Sequence, residues 1–288
     1  MTALDPRIHA YRPDLADIRL KGRVVAERFV AGEGLTVNKP ATGLHRHPRP
    51  DASLETELLF GEQVRVFETT GEGWSWVQSE ADNYVGWVGR EALSPDLPAP
   101  THIVSAPRTF VFSGPDIKSK ALTVLPLGAR VALAAQAEDD NARYGLIHPA
   151  GAVVMQHLRP VAEPLTDFVA IAESLAGTPY LWGGRSAFGI DCSGLIQLAL
   201  CLCGHAAPRD TDMQEAELGQ ALRLGPSLPD LRRGDLVFWK GHAGIMRDEK
   251  TLLHANAHHM AVASEPVLQT IARLKKAGLP VTAIKRLA

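Results

Sequence analysis

The stretch "YLWGGRSAFGIDCSGLIQLALCLCG", residues 180 to 204, constrains the fold more than any other. Leu195, Ile196, Ala199, Leu200 and Leu202 recur at helical spacing, and no helix breaker follows until Gly204 and Pro208. An apolar helix of this kind must be covered by other elements, and a glycine-rich loop feeds directly into it. The spacing puts Cys192 at or just inside the helix start. There the positive end of the helix dipole favours thiolate, and unpaired backbone N–H groups could hold an oxyanion. The bland alternative is packing, since cysteine is among the most buried residue types. Cys201 and Cys203, inside the apolar run, are expected to be packing residues; for Cys192, between polar Asp191 and Ser193, both readings stand until its partners are found.

The rest of the chain sets the frame. Its 288 residues suffice for two domains, or three small ones, and 45% hydrophobic with 22% charged residues is the balance of a globular protein. A formal net charge of −2 offers no electrostatic reason to expect nucleic acid or an anionic membrane as partner. The opening "MTALDPRIHAYRPDLADIRLKGRV" has charges and prolines where a signal peptide has its apolar core, and no apolar run approaches about 18 residues, so a cytoplasmic protein is expected. Three cysteines within a dozen positions argue for free thiols.

Residues 1–30 read as an extension packed on the remainder of the chain. From 31 to 97, short β-type runs such as "EQVRVFETTGEGWSWVQS" and "NYVGWVGREAL" are divided by turn residues, the texture of a small β-barrel. After "SPDLPAP", residues 98–160 repeat that rhythm. "LLFGEQVRVFE" then "YVGWVGREAL" is matched by "LPLGARVALAA" then "GAVVMQHLRP", a diverged internal repeat. The second copy lacks the tryptophans, so a ligand surface is expected on the first. From 161 to 288 the texture is α+β. "TDFVAIAESLAG" predicts a helix with Thr166 as N-cap and Gly177 as the C-terminal glycine, and "DLVFWKGHAGIM", "TLLHANA" and "MAVASEPV" predict strands of an antiparallel sheet after the helices.

His242 opens "HAGIM" and His254 lies in "TLLHANA", with "RDEK" as the turn between them. A hairpin centred near Asp248 would set the two histidines opposite each other, Cβ atoms roughly 5 Å apart. With Cys192 they would supply nucleophile, base and orienter of a cysteine hydrolase. A metal site from His254, His258, Cys201 and Cys203 is the weaker alternative, because C-x-C inside a helix does not present two thiolates as a C-x-x-C knuckle does. His258 and His259 are expected in solvent, and no metal or cofactor is expected.

"GTPYLWGG", "DCSGLIQ", "RDTDMQ", "GDLVFW", "HAGIM" and "LLHANA", in this order, resemble the NlpC/P60 cysteine peptidases of bacterial cell-wall turnover over about residues 165–270. The two β-modules ahead of them resemble bacterial SH3 domains, and the whole is similar to the γ-D-glutamyl-L-diamino acid endopeptidases. The resemblance implies a papain-like α+β catalytic domain with Cys192, His242 and His254 as its triad. It implies that Tyr180 shapes the oxyanion region, the alternative being a packed aromatic, and that Asp191, Ser193, Arg209, Asp210 and Thr211 line the substrate cleft. It further implies that Glu55 and Tyr84 of the first module reach that cleft, where Glu55 and Asp191 would bind the α-ammonium of L-alanine in a free murein tri- or tetrapeptide. The alternatives are a solvated Glu55 and a barrel-core Tyr84. A protein that docks on intact peptidoglycan through its SH3-like modules is the competing reading.

Overall fold

The computed structural model describes residues 4–225 and 228–287. The chain forms two compact units, Met1–Glu163 and Pro164–Ala288.

In the first unit a seven-stranded sheet runs in the order Leu54–Leu59, Ala41–His45, Val85–Gly89, Trp74–Ser79, Gln63–Thr69, Glu33–Val37, Leu93–Ser94. Val37, Leu44, Val64, Val77 and Val88 point inward at 0% exposure, the period-2 burial that β-branched runs with polar alternates dictate. Residues beyond the joint form a three-stranded and a five-stranded sheet around Val104, Val111, Leu125, Val131 and Val153.

The internal repeat is written into hydrogen bonds. Gly61, at φ +80°, donates to the Val37 carbonyl while Val37 donates to that of Glu62, both at 2.9 Å. In the second copy Gly128, at φ +90°, donates to Val104 at 2.9 Å, and Val104 donates to Ala129 at 2.8 Å. Each copy also steps from a strand through a single 3-10 turn, Arg90–Ala92 and Met155–His157, into its last short strand. A left-handed residue is needed where the chain doubles back, and glycine supplies it without steric cost.

The tryptophans that marked the first copy are not a free surface. Residues of the extension cover them: Ala10 and Leu15 cluster with Phe67, Trp76 and Trp87, and the Arg12 guanidinium sits 4.3 Å from the Trp76 ring centre and 5.1 Å from that of Trp87. Arg12 also pairs with Asp14 at 2.7 Å and Glu68 at 2.6 Å. Trp76 and Trp87 are therefore buried.

In the second unit we label α1 (Phe168–Ser174), α2 (Cys192–Leu202), α3 (Thr211–Glu217), β1 (Gln220–Ala221), β2 (Leu236–Trp239), β3 (His242–Met246), β4 (Thr251–Asn256), β5 (Ala261–Pro266), α4 (Val267–Lys276) and β6 (Val281–Arg286). The sheet is antiparallel in the order β1-β6-β2-β3-β4-β5. α2 lies against β3 and β4. Every residue of α2 except Cys201 is buried, as a helix apolar on all sides requires. Cys201 and Cys203 are half-buried, less enclosed than expected, because the apolar run ends where the helix surfaces. The N-cap of α1 is Asp167, whose carboxylate accepts from Ala170 N–H, rather than Thr166; the left-handed Gly177 lies two residues past the Leu175 C-cap, one later than expected. α4 was not anticipated, although Val267, Thr270, Ile271 and Leu274 recur at helical spacing, and it breaks the expected order of helices followed by sheet.

Arg12→Ala should destabilise the N-terminal unit by about 1–2 kcal/mol, through loss of a cation–π contact and two ion pairs, and should red-shift tryptophan emission as water reaches Trp76 and Trp87. Urea titration followed by fluorescence tests it; unchanged emission would mean Arg12 does not shield the two rings.

Candidate active site

Asp191 builds the N-terminus of α2. As its N-cap, the carboxylate accepts from Gly194 N–H at 2.7 Å, and its carbonyl accepts from Leu195 N–H at 3.0 Å. This leaves the amides of Cys192 and Ser193 at the front of the helix. The backbone amides of Ser193 and Ala243 favour the charged form of Cys192, which puts the thiol near the start of β3, the strand that His242 opens. Gly194 is needed for this approach: a Cβ there would stand 2.4 Å from the Gly184 carbonyl oxygen, on the loop that precedes the helix.

The same carboxylate also accepts from Gly183 N–H at 2.9 Å, Ser193 Oγ at 3.2 Å and Arg209, bidentate at 3.0 and 2.7 Å. Arg209 donates to Ser193 Oγ as well, at 2.8 Å. Asp191, Ser193 and Arg209 are all buried. This corrects the expectation that Asp191 offers a carboxylate to a substrate ammonium: its oxygens are engaged, and the Arg209 guanidinium offsets its charge. Ser193 and Arg209 likewise fix the helix start instead of lining an open cleft. Asp210 and Thr211, at the start of α3, are half-buried.

His242 and His254 do meet, by a different register from the one the sequence suggested. β3 and β4 pair Ile245 with Leu253 and Met246 with Leu252, so the hairpin is centred one residue later and the two histidines are diagonal neighbours on one face. Gly244 lies between them. A Cβ there would come within 3.1 Å of His254 Cβ and 2.9 Å of Leu252 Cδ1, so glycine keeps the diagonal open. His242 Nε2 and His254 Nδ1 are 2.8 Å apart. The Trp239 ring packs 5.6 Å from the imidazole of His242 at a 36° tilt.

Sequence reasoning missed the next member. Glu265 on β5 places Oε1 2.8 Å from His254 Nε2, and Arg273 on α4 grips both oxygens of Glu265 at 2.5 and 2.6 Å. The signal was present in "VASEPV", where β4 and β5 set Ala263 opposite His254 and so put Glu265 two residues along the same face. His254 is 1% exposed and Glu265 largely enclosed.

Burial governs the charges. It pushes the Cys192 thiol up to about 12, aided by the Asp191 carboxylate and opposed by the Ala243 amide, Arg209 and the Ser193 amide. The expected preference for thiolate at the helix start is therefore reversed in the resting protein. Burial also pushes His242 down to about 3, with His254 and Arg273 acting in the same direction, and His254 down to about 4 against the pull of Glu265. The Arg273 hydrogen bonds hold Glu265 down at about 2. The resting constellation is a neutral thiol, two neutral imidazoles and an ionised carboxylate.

Tyr180 is half-buried and joined to the loop–helix unit by a bridge to Ile190. Its phenol is raised to about 12 by burial, then by Cys192 and Asp191, so it remains a hydroxyl donor near the sulfur. Glu55 sits on a strand of its own module, its carboxylate paired with Arg46 by two 2.9 Å bonds, which corrects the alternative of a solvated loop residue. Tyr84 is 2% exposed and packs in the core of the first module, as the barrel-core alternative has it. The left-handed Asn83 and the Asp82 carboxylate accepting from Tyr84 N–H turn the residue inward. His258 and His259 are exposed, and among the described residues no three His, Cys, Asp or Glu side chains are grouped to hold a metal ion.

Residues 177–273 match the NlpC/P60 family, and residues 44–93 match the bacterial dipeptidyl-peptidase Sh3 domain. The γ-D-glutamyl-L-lysine dipeptidyl-peptidase of Bacillus subtilis (strain 168) is 29% identical over 233 residues, 71% of this chain and 73% of its own. Dipeptidyl-peptidase 6 of Lysinibacillus sphaericus is 27% identical over 232 residues, 74% of this chain and 84% of its own. The crystal structure of an NlpC/P60 family protein from Bacillus cereus ATCC 10987 superimposes with a TM-score of 0.71 over 88% of this chain and 99% of that one, at 21% identity, a likeness of fold. A buried helix that starts on a cysteine and packs against a histidine-bearing antiparallel sheet is thus the papain-like fold of the relatives, and the chain belongs to the NlpC/P60 cysteine peptidase family, with a bacterial SH3-type module ahead of the peptidase domain.

Proposed function

We propose that this chain hydrolyses the γ-D-glutamyl–L-diamino acid bond of murein peptides that begin with a free L-alanine, with Cys192 as nucleophile, His242 as base and His254 as its orienter. The observation that carries the reading is the His242–His254–Glu265 line of hydrogen bonds on a strand whose Ala243 amide acts on the Cys192 thiol at the helix N-terminus. His242 takes the thiol proton as sulfur attacks the γ-carbonyl carbon. The carbonyl oxygen, now negative, is held by the amides at the start of α2 and by the Tyr180 hydroxyl. His242 returns the proton to the departing amine, leaving a thioester. Water, deprotonated by the same imidazole, releases the L-Ala-γ-D-Glu dipeptide and restores the thiol.

The requirement for a free amino terminus is inferred from the names of the relatives: a dipeptidyl-peptidase removes two residues from an open N-terminus. Peptides of that kind are products of wall breakdown. On this reading they are cleaved in the cytoplasm, a reducing compartment that suits three free cysteines. The burial of Trp76 and Trp87 speaks against the competing idea of a wall-docking face on the first module.

The test compares L-Ala-γ-D-Glu-L-Lys and its diaminopimelate counterpart with their N-acetylated forms and with intact sacculi, products being identified by mass. Free tri- and tetrapeptides should be cut between D-Glu and the diamino acid, and acetylation should lower kcat/KM by at least ten-fold. Equal cleavage of acetylated peptide and sacculi would establish the wall hydrolase instead.

Cys192→Ala should keep the fold, since it removes one atom from a helix start, and should lower kcat by roughly ten-thousand-fold or more. A folded, active variant would overturn the assignment of the nucleophile.

The pH response has two parts. Because His242 is held neutral down to about 3, kcat/KM should show no acidic limb near 6.5. Stability behaves otherwise: the unfolded chain protonates both histidines near 6.5, whereas the folded chain refuses these protons until about 4 and 3. Folding stability should therefore fall as pH drops from 6.5 towards 4, with proton uptake on unfolding, while the depressed Glu265 adds a loss from 4.5 downward. Urea titrations from pH 7 to 4 check the sign; stability that rose on acidification would refute it.

A further inference from the structure

The hydrogen bonds between the histidines and Glu265 contain more than proximity, because each ring nitrogen either carries a proton or does not. Glu265 is gripped by both guanidinium nitrogens of Arg273, so its oxygens act as acceptors only. His254 Nε2, 2.8 Å away, must then be the donor. His254 is 1% exposed and, being pushed well below the usual imidazole range by burial, holds a single proton. Its Nδ1 is consequently a bare lone pair. His242 Nε2 lies 2.8 Å from that lone pair, and two lone pairs do not meet at such a distance, so His242 donates from Nε2. A neutral His242 is then left with a bare Nδ1 on the side away from His254. Of the two tautomers this one alone presents a lone pair on the side away from His254.

We propose that Glu265, clamped by Arg273, is a positioning residue that fixes the Nε2–H tautomer of His254 and, through it, that of His242, so that His242 offers its Nδ1 lone pair to Cys192. The inference rests on the reading of Cys192 as nucleophile and extends it by two residues. It also accounts for α4: the helix brings Arg273 onto Glu265, and without that grip the carboxylate could rotate away from the buried imidazole. When His242 becomes an imidazolium during turnover, its Nε2–H bond strengthens, and the Glu265 charge at the far end of the line favours the cation formed.

The test uses the full chain with 15N-labelled histidine. Long-range proton–nitrogen spectra assign the tautomer of each ring, iodoacetamide reports the reactivity of Cys192 at pH 7, and kcat and KM are measured on the free murein tripeptide. The parent should show His242 and His254 both protonated on Nε2. Glu265→Gln keeps an acceptor oxygen, so it should preserve both tautomers and lose no more than a few-fold in rate. Glu265→Ala should leave His254 as a tautomer mixture and lower kcat and the alkylation rate together by roughly 10- to 100-fold with KM within about two-fold, the range for loss of a group that orients another. Arg273→Met should show a smaller fall in the same direction, which keeps the test alive should Glu265→Ala fail to fold. A parent His254 protonated on Nδ1, or a folded Glu265→Ala variant with tautomers and rates unchanged, would overturn the proposal. Tautomers and alkylation need no murein peptide, so a chain that cleaved none would end the proposed function while leaving the relay decided on its own terms.

Discussion

The carboxylate of Asp191 is the contact on which the second unit turns. It is asked to cap a buried helix, hold the Gly183 loop, orient Ser193 and balance a guanidinium that is itself 2% exposed. A buried ion pair gives little net stability compared with apolar side chains of the same volume, yet removing one partner costs about 3–5 kcal/mol because the other charge is stranded. Its value here is geometric. Three segments that are separate in sequence, the glycine-rich loop, the start of α2 and the approach to α3, are tied to one pair of oxygens. Cys192 is the residue next to those oxygens, so its place is set by a network that leaves its sulfur out. The sulfur is left to the Ala243 and Ser193 amides.

That arrangement explains why a helix N-terminus does not by itself make a thiolate. The dipole contributes on the order of 1 kcal/mol, whereas enclosure of the sulfur and a carboxylate one residue away act against the anion together. Arg209 pulls the other way but does not outweigh them, its guanidinium being paired with Asp191. A thiol that stays neutral at rest is protected from adventitious alkylation and oxidation, which track thiolate. In the mechanism we propose, it becomes a nucleophile only when His242 takes its proton as the carbonyl is attacked. The demand on His242 is correspondingly strict: it must be neutral, bare on the correct nitrogen and fixed in direction. Trp239, Gly244 and His254 each meet part of that demand, by packing on the ring, by leaving the diagonal open and by bonding its far nitrogen.

The sequence made the catalytic half legible where chemistry and periodicity coincide. An apolar run with a cysteine at its start, and two histidines in β-type segments around a turn, suffice to bring Cys192, His242 and His254 together. The register was misjudged because a turn's centre cannot be read to one residue, and a shift of that size turns a facing pair into a diagonal one without changing the face. Polar residues at the motif were harder. Asp191, Ser193 and Arg209 look like cleft residues by type, and only the count of their hydrogen bonds shows that they are buried and fully employed. Glu265 was invisible for the opposite reason: "SEPV" has no motif value, and the carboxylate acquires meaning only when β5 is paired to β4 and α4 folds back with Arg273.

The N-terminal unit shows the same limit from another side. Its two copies share a glycine turn and a 3-10 step to nearly the same angles, φ/ψ of −60°/131° at Gly89 and −63°/131° at Val154, although few side chains correspond. Backbone hydrogen bonds can repeat while the surfaces diverge, because a left-handed glycine and an inward apolar alternation are all the geometry demands. Exposed tryptophans in a small β-module would invite a ligand, and by composition alone Trp76 and Trp87 belonged to such a face. The covering segment, with Arg12 laid on both rings, makes them part of a core instead. Aromatic content therefore marks where apolar surface exists, and the neighbouring chain decides whether it is offered to a partner or spent on the fold.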